Sequence, residues 1–339
     1  MKRIIIACAL IAISGVSLLA LEPGETQFSS KTWLRYGYQT TGGETEYSGF
    51  ALARGYLVFK HQFTDRLSSK FNLDIYSSDK SSDGAGAGLK IKAAYLDYAA
   101  GEGMDIYAGV IKNYFGTVYD WDYLTVEKAL EDAEGICASA DAGVALVGEI
   151  PGGLGQYAAG IYNGEGYKKY FSNIDRHFTY SANLRLTPLE GLMLGGSARF
   201  ARAADPADTT ADPETVSRLD MAAVLNANYG PIDIWAEYLA ATLDETSASG
   251  FMVMPTVRVL DDFRLLFRYD MWDPDSDAKA DGHSRIIAGA NYVLTRKESG
   301  SPETRLQLNW NRHQPEADGA DPTDGITLQL RFAFSSNPF

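Results

Sequence analysis

Twelve basic residues recur at alternate positions along apolar segments: Arg35, Arg54, Lys60, Lys70, Arg185, Arg199, Arg258, Arg264, Arg268, Arg285, Arg305 and Arg331. Asp74, Asp220, Asp233, Glu237 and Asp270 share that parity. Cations spaced by two residues on strands would line one face of a sheet. Around a narrow aqueous passage they would lower the barrier for anions. The same spacing also suits charges that pair across strands and keep the passage wet, and both readings stand.

A second group is acidic. "YDWDYLTVEKALEDAEG" carries Asp120, Asp122, Glu127, Glu131 and Asp132, with Lys128 among them. Leu124, Leu130 and the helix-forming Glu, Lys and Ala predict a short helical turn here. Folded inward, the stretch would set its carboxylates against the basic wall and create a transverse field. Left outside, it would be a solvated loop. In "DPDSDAKADG", Asp273, Asp275, Asp277 and Asp281 alternate as the oxygen ligands of a calcium loop do. The sixth-position glycine and twelfth-position glutamate of such loops are missing, so a solvated acidic loop is the better reading.

Enzyme chemistry has little to build on. His61, His177, His283 and His313 lie far apart, and there is no G-x-S-x-G stretch, metal-ligand cluster, phosphate loop or dinucleotide fingerprint. A hydrolase would have to assemble serine, histidine and asparagine from separate strands. No cofactor is implied.

The elements that carry these residues have a side-chain period of two. In "DGITLQLRFAFSSNPF", Ile326, Leu328, Leu330, Phe332 and Phe334 alternate with Thr327, Gln329, Arg331 and Ala333. Clear segments of this kind span 32–39, 67–76, 177–186, 263–272 and 304–312. Weaker ones fall near 50–62, 89–98, 104–112, 140–150, 155–163, 192–202, 218–229, 232–241, 249–260, 283–294 and 325–334, giving sixteen strands. The connections alternate between short ("TDR", "PGG", "GP", "DD") and long ("TGGETEYSG", 113–139, 164–176, "DPDSDAKADG"). That rhythm, with an even strand number, predicts an all-β, antiparallel, up-and-down transmembrane barrel with short periplasmic turns and long external loops. A secreted sandwich or solenoid would also alternate, but no fixed-period repeat appears.

The start of the chain agrees. Lys2 and Arg3, an apolar run and small residues near Ala20 describe a cleaved signal peptide over 1–20, followed by one barrel over 21–339. Loss of those two charges takes the net charge from −14 to −16, which disfavours nucleic acid as a partner. Cys137 is then the one remaining thiol, so no intrachain disulfide is available.

Several stretches carry a family resemblance: "FALARGYLVFKHQFTDRLSSKFNLD" with Arg54, "KAAYLDY" with Ala94, Tyr95 and Leu96, "IYAGVIKNYFGTVYD" from Gly109 to Gly116, and "YAAGIYNGEG" with Asn163 and Gly164. Together they resemble the outer-membrane porins grouped with the phosphate-selective porins O and P. The resemblance implies a sixteen-stranded homotrimeric channel in outer-membrane lipid for small hydrophilic solutes or anions, with an inward third loop over 113–139. Tyr114 stands where that family usually has proline, and Asp141 where a basic residue is common, which leaves phosphate specificity open. A closed barrel that binds surfaces through its acidic loops is the alternative function.

Overall fold

The period-two segments close into a wall. The computed structural model describes residues 21–78, 86–119, 121, 125–169, 177–204, 215–296 and 302–338; the leader predicted for 1–20 lies outside them. The first half of the wall runs β1 (Thr26–Thr41), β2 (Glu44–Thr64), β3 (Leu67–Ser77), β4 (Ala87–Gly101), β5 (Met104–Lys112), β6 (Ala140–Ile150), β7 (Gly155–Tyr162) and β8 (Thr179–Leu189). The second half runs β9 (Leu192–Ala204), β10 (Thr215–Tyr229), β11 (Ile232–Leu243), β12 (Thr246–Leu260), β13 (Phe263–Asp273), β14 (His283–Arg296), β15 (Pro302–Pro315) and β16 (Thr323–Ser335). Each strand pairs antiparallel with the next, and β16 returns to pair with β1, so the barrel is closed and has no free edge.

The sixteen predicted strands are present, with differences at their ends. The segment expected over 177–186 forms β8 from Thr179 to Leu189, and Pro188 is accommodated where the register shifts between Leu186 and Leu189. One expected long loop, "TGGETEYSG", is not a loop. Gly42 and Gly43 adopt φ of 58° and 88°, and Thr41 pairs with Glu44 across them. Two successive left-handed residues make the tight hairpin turn whose twist matches its strands, so β1 and β2 run on to their tips. The β11–β12 connection is as tight, with only Asp244 and Glu245 between the strands. Long connections therefore do not occupy every position at that end of the barrel.

The two faces differ in chemistry. Phe59, Phe71, Leu184, Phe200, Met221, Leu265, Phe267, Leu308, Trp310 and Leu328 are exposed on the outside. Register places the opposite parity inside, where Arg35 faces Gln329, Asp220 faces Arg199 and Gln307 faces Gln329. All twelve predicted basic residues fall on this inward parity.

The main apolar core lies inside the barrel. After β5 the chain turns inward over 113–139, and Phe115, Val118, Ala129, Leu130 and Cys137 pack on Ala222, Leu239, Met252, Met254 and Trp272 of β10–β13. Burying these groups against each other removes them from water on a wall that is otherwise polar. The predicted helical turn is α1, the single turn Leu130–Ala133.

Candidate functional site

The inward segment is held by side chains from around the wall, most of them binding its backbone. Arg185 of β8 donates to Gly116 O at 2.6 Å, and Ser197 of β9 accepts from Gly116 N at 3.0 Å. Arg268 of β13 donates to Lys128 O at 2.7 Å and stacks its guanidinium 5.0 Å from the Trp121 ring centre. Arg35 of β1 reaches Val126 O at 3.3 Å, and Asn311 of β15 donates to the Glu127 carboxylate at 3.0 Å. Returning, Glu134 accepts from His283 Nε2 (3.2 Å) and Arg285 (3.4 Å) of β14, while Arg218 (3.0 Å) and Arg199 donate to Ile136 O. The segment thus crosses the lumen from β5 to β1 and β15 and back.

Sequence reasoning expected acidic loop residues facing a basic wall; Glu127 does border the same cavity as Arg35 and Arg54, but most of the contacts are of another kind. Guanidiniums bind the loop's carbonyl oxygens, which carry no net charge. Several wall guanidiniums are matched by wall carboxylates: Arg268 by Asp270 at 2.7 Å, Arg199 and Arg218 by Asp220 at 3.0 Å, and Arg54 by Asp74 at 2.8 Å. Glu131, expected in the passage, is turned away from it and fully buried. Lys128 and Asp132 pair with each other at 3.8 Å. Asp120 and Asp122 lie outside the described residues.

Glu131 meets Glu237 of β11 behind the segment. The two carboxyl groups share the Thr117 hydroxyl as a neighbour, at 3.4 Å from Glu131 Oε2 and 2.9 Å from Glu237 Oε2. Glu237 accepts from Thr117 N (3.0 Å) and Thr117 Oγ1 (2.9 Å), and Glu131 from Val118 N (2.5 Å). Gly116, at φ 52°, is required here because a Cβ would collide with both carboxylates. Burial pushes the Glu131 carboxyl above its ordinary value, against the opposing pull of the hydrogen bonds it accepts. Two carboxyls this close in a dry pocket favour holding a proton over carrying two negative charges. For Glu134 burial pushes upward too, but the hydrogen bond and charge of His283 and the charge of Arg285 outweigh it, and its pKa falls below 4.5. Burial also raises the Cys137 thiol to about 12, which keeps it protonated and unreactive.

These opposite shifts set opposite pH windows. Glu131, raised in the fold, contributes fully below its unfolded value and loses that contribution as pH climbs through its folded pKa. Glu134, lowered in the fold, contributes above about 4.5 and loses it as pH falls through the folded value. As pH rises above the ordinary carboxyl range, hydrogen-exchange protection of the Gly116, Thr117 and Val118 amides should therefore fall, by roughly tenfold after correction for intrinsic rates. Glu131→Gln should flatten that fall. Constant protection in the unaltered protein would contradict a protonated carboxyl in this pocket.

Other predicted residues gather at the short-turn end. Lys60 stands directly opposite Lys70, Arg258 opposite Arg264, and Arg305 opposite Arg331. The loop over 273–282 closes on itself instead of converging on an ion: Asp273 accepts from the Asp275 amide (3.2 Å) and Asp275 from the Asp277 amide (3.1 Å). Among the described residues no three His, Cys, Asp or Glu side chains, Asp273, Asp275, Asp277 and Asp281 included, come together to hold a metal. Of the histidines, His283 and His313 sit ring to ring at 4.6 Å, His61 bonds Thr26, and His177 lies apart near Thr215. Reading the sequence missed Arg218, Ser197 and the aromatic residues Trp33, Tyr47 and Tyr76. Their signal was inward parity: Arg218 shares that of Asp220, Trp33 that of Arg35, and Tyr76 that of Asp74.

No protein-family model matches the chain, and no curated protein matches it by sequence. Solved structures do, along most of their length. The anion-selective porin from Comamonas acidovorans superposes with a TM-score of 0.64 at 12% identity, covering 91% of this chain and 99% of that one. The chain has the fold of the outer-membrane porins. OmpF of Salmonella typhi, solved with daunomycin, gives 0.60 at 14% identity, covering 92% of this chain and 98% of its own. The trimer form of in-vitro folded OmpT, an outer-membrane protein of Vibrio cholerae, gives 0.64 at 13%, covering 92% and 100%. At these identities the likeness concerns architecture. The wall's cations and the segment's anchors are features of this chain.

Proposed function

We propose that this chain is an outer-membrane porin, exported by its 1–20 leader and assembled as a homotrimer, that passes small hydrophilic solutes by diffusion with a mild preference for anions. It works as a channel and carries out no reaction. The apolar exterior supports membrane placement, since a charge facing lipid near the midplane costs about 2 to 4 kcal/mol and the described Arg and Lys of the strands fall mainly on the inward face. Sieving follows from the segment that crosses the lumen.

The observation that carries the anion preference is the triplet of like-charged pairs, Lys60–Lys70, Arg258–Arg264 and Arg305–Arg331. Like charges placed directly opposite one another on adjacent strands disfavour folding, so their gain is sought in what passes the short-turn mouth. Phosphate-type anions fall within this class. Reversal potentials in a potassium chloride gradient should show chloride favoured over potassium, and Lys70→Glu with Arg264→Glu should shift the preference toward cations. Cation preference in the unaltered protein would overturn the selectivity. The absence of stepwise currents with the barrel intact would instead favour a binding protein that acts through its acidic loops.

A further inference from the structure

The channel reading leaves open which solutes dwell inside, and one cavity bears on it. Between the tip of the inward segment and β1–β3 lies an open space of about 450 Å³, lined by Trp33, Arg35, Tyr47, Arg54, Tyr76 and Lys128 among others. Its walls alternate aromatic faces with cations. Tyr47 lies against backbone: its ring atoms stand 3.1 and 3.4 Å from where Cβ atoms of Gly37 and Gly49 would be, and the residue is still 46% exposed. Glycines on β1 and β2 therefore let one ring face rest on the wall and leave the other to the lumen. Tyr76 rests on Gly88 in the same way, with Lys90 Nζ 3.7 Å from its ring centre. Trp33 is fixed edge-on against Tyr56 at 5.0 Å.

The charge beside these rings is oriented in advance. Arg35 donates to Gln329 Oε1 at 3.1 and 2.9 Å and to Val126 O at 3.3 Å, all uncharged acceptors. Glu127, the nearby carboxylate, is engaged by Asn311. Hydrated inorganic anions gain nothing from aromatic faces, and a neutral sugar would leave the charges of Arg35 and Lys128 unmatched. A flat ring gains from stacking and its attached anion from the guanidinium.

We propose that this cavity is a dwelling site for aryl carboxylates, with the ring on the exposed face of Tyr47 and the carboxylate between Arg35 and Lys128. The proposal rests on the channel reading and names its solute class.

The test uses the full-length protein in planar bilayers in potassium chloride, with benzoate, acetate, benzyl alcohol or glucose 6-phosphate added at equal millimolar concentration. Benzoate should interrupt the current with dwell times roughly tenfold longer than acetate, as one good stacking contact gives. Benzyl alcohol, which has the ring without the charge, and glucose 6-phosphate, which has charge without a flat ring, should behave as acetate does. Tyr47→Ala should abolish the ratio of benzoate to acetate dwell times, and Tyr47→Phe should restore it. Equal dwell for benzoate and acetate, glucose 6-phosphate matching benzoate, or an unchanged ratio in Tyr47→Ala would each overturn the proposal while steady conductance left the channel standing. Silence in potassium chloride alone would overturn both.

Discussion

Deleting residues 120 to 134 should raise single-channel conductance, by roughly threefold if current follows open cross-section. The deletion removes the part of the segment that reaches Arg35, Arg268 and Asn311 across the lumen. It leaves the wall intact, because β5 and β6 pair with each other from Met104–Gly148 to Lys112–Ala140 without help from the segment. Leu239, Met252 and Met254 would lose Leu130 as a covering neighbour, so a modest fall in thermal stability should accompany the change. Unchanged conductance in a folded barrel would place the limiting aperture elsewhere.

Arg268→Met should cost about 3 to 5 kcal/mol, the usual result of breaking a buried ion pair from one side. Arg268 is fully buried and grips Asp270 with two bonds of 2.7 Å, and its third bond holds Lys128 O. Methionine fills the volume but leaves the buried Asp270 with Arg285 as its charge partner, at 3.2 Å. By contrast Arg312→Met, which removes a half-exposed pair with Asp324, should cost under about 1 kcal/mol. Urea unfolding in detergent, followed by the gel shift between folded and unfolded barrel, separates the two. Similar losses would mean that the Arg268 site is wetter than its burial implies. Arg268→Met should also free the segment at Lys128, seen as faster hydrogen exchange there and not at Gly116.

The wall was legible in the sequence because period two survives in nearly every strand. "HFTYSANLRL" announces which residues face outward without any knowledge of its partners, and the structure agrees from Thr179 on. Two hairpin tips were less legible. "TGGETEYSG" has the composition of a loop, and only the conformation of Gly42 and Gly43 makes Thr45 to Ser48 strand residues. The site was legible by parity and not by contact. Arg199 and Arg268 were placed inward correctly, yet nothing in their spacing shows that they bind carbonyl oxygens of a segment distant in sequence. A usable signal was present: Ala222, Leu239, Met252 and Met254 put apolar side chains on the inward parity of three neighbouring strands, where a water-filled interior would want polar ones. That interruption marks the seat of the inward segment. Glu131 and Glu237 illustrate the remaining gap, since a glutamate's preference for water is the prior, and only packing reveals two of them sharing a dry pocket.

The union of the first strand with the last has a consequence for biogenesis. Ser29 meets Ser335 and Thr41 meets Thr323, so the polypeptide cannot complete any ring until its tail has emerged. Before that moment two raw borders would offer unpaired amides to any neighbour, and the final joining must bring together the most distant parts of the chain, which is slow. A form lacking its last dozen residues should therefore not be a slightly weaker version of the protein but an aggregation-prone one, dependent on holding factors until they are exhausted.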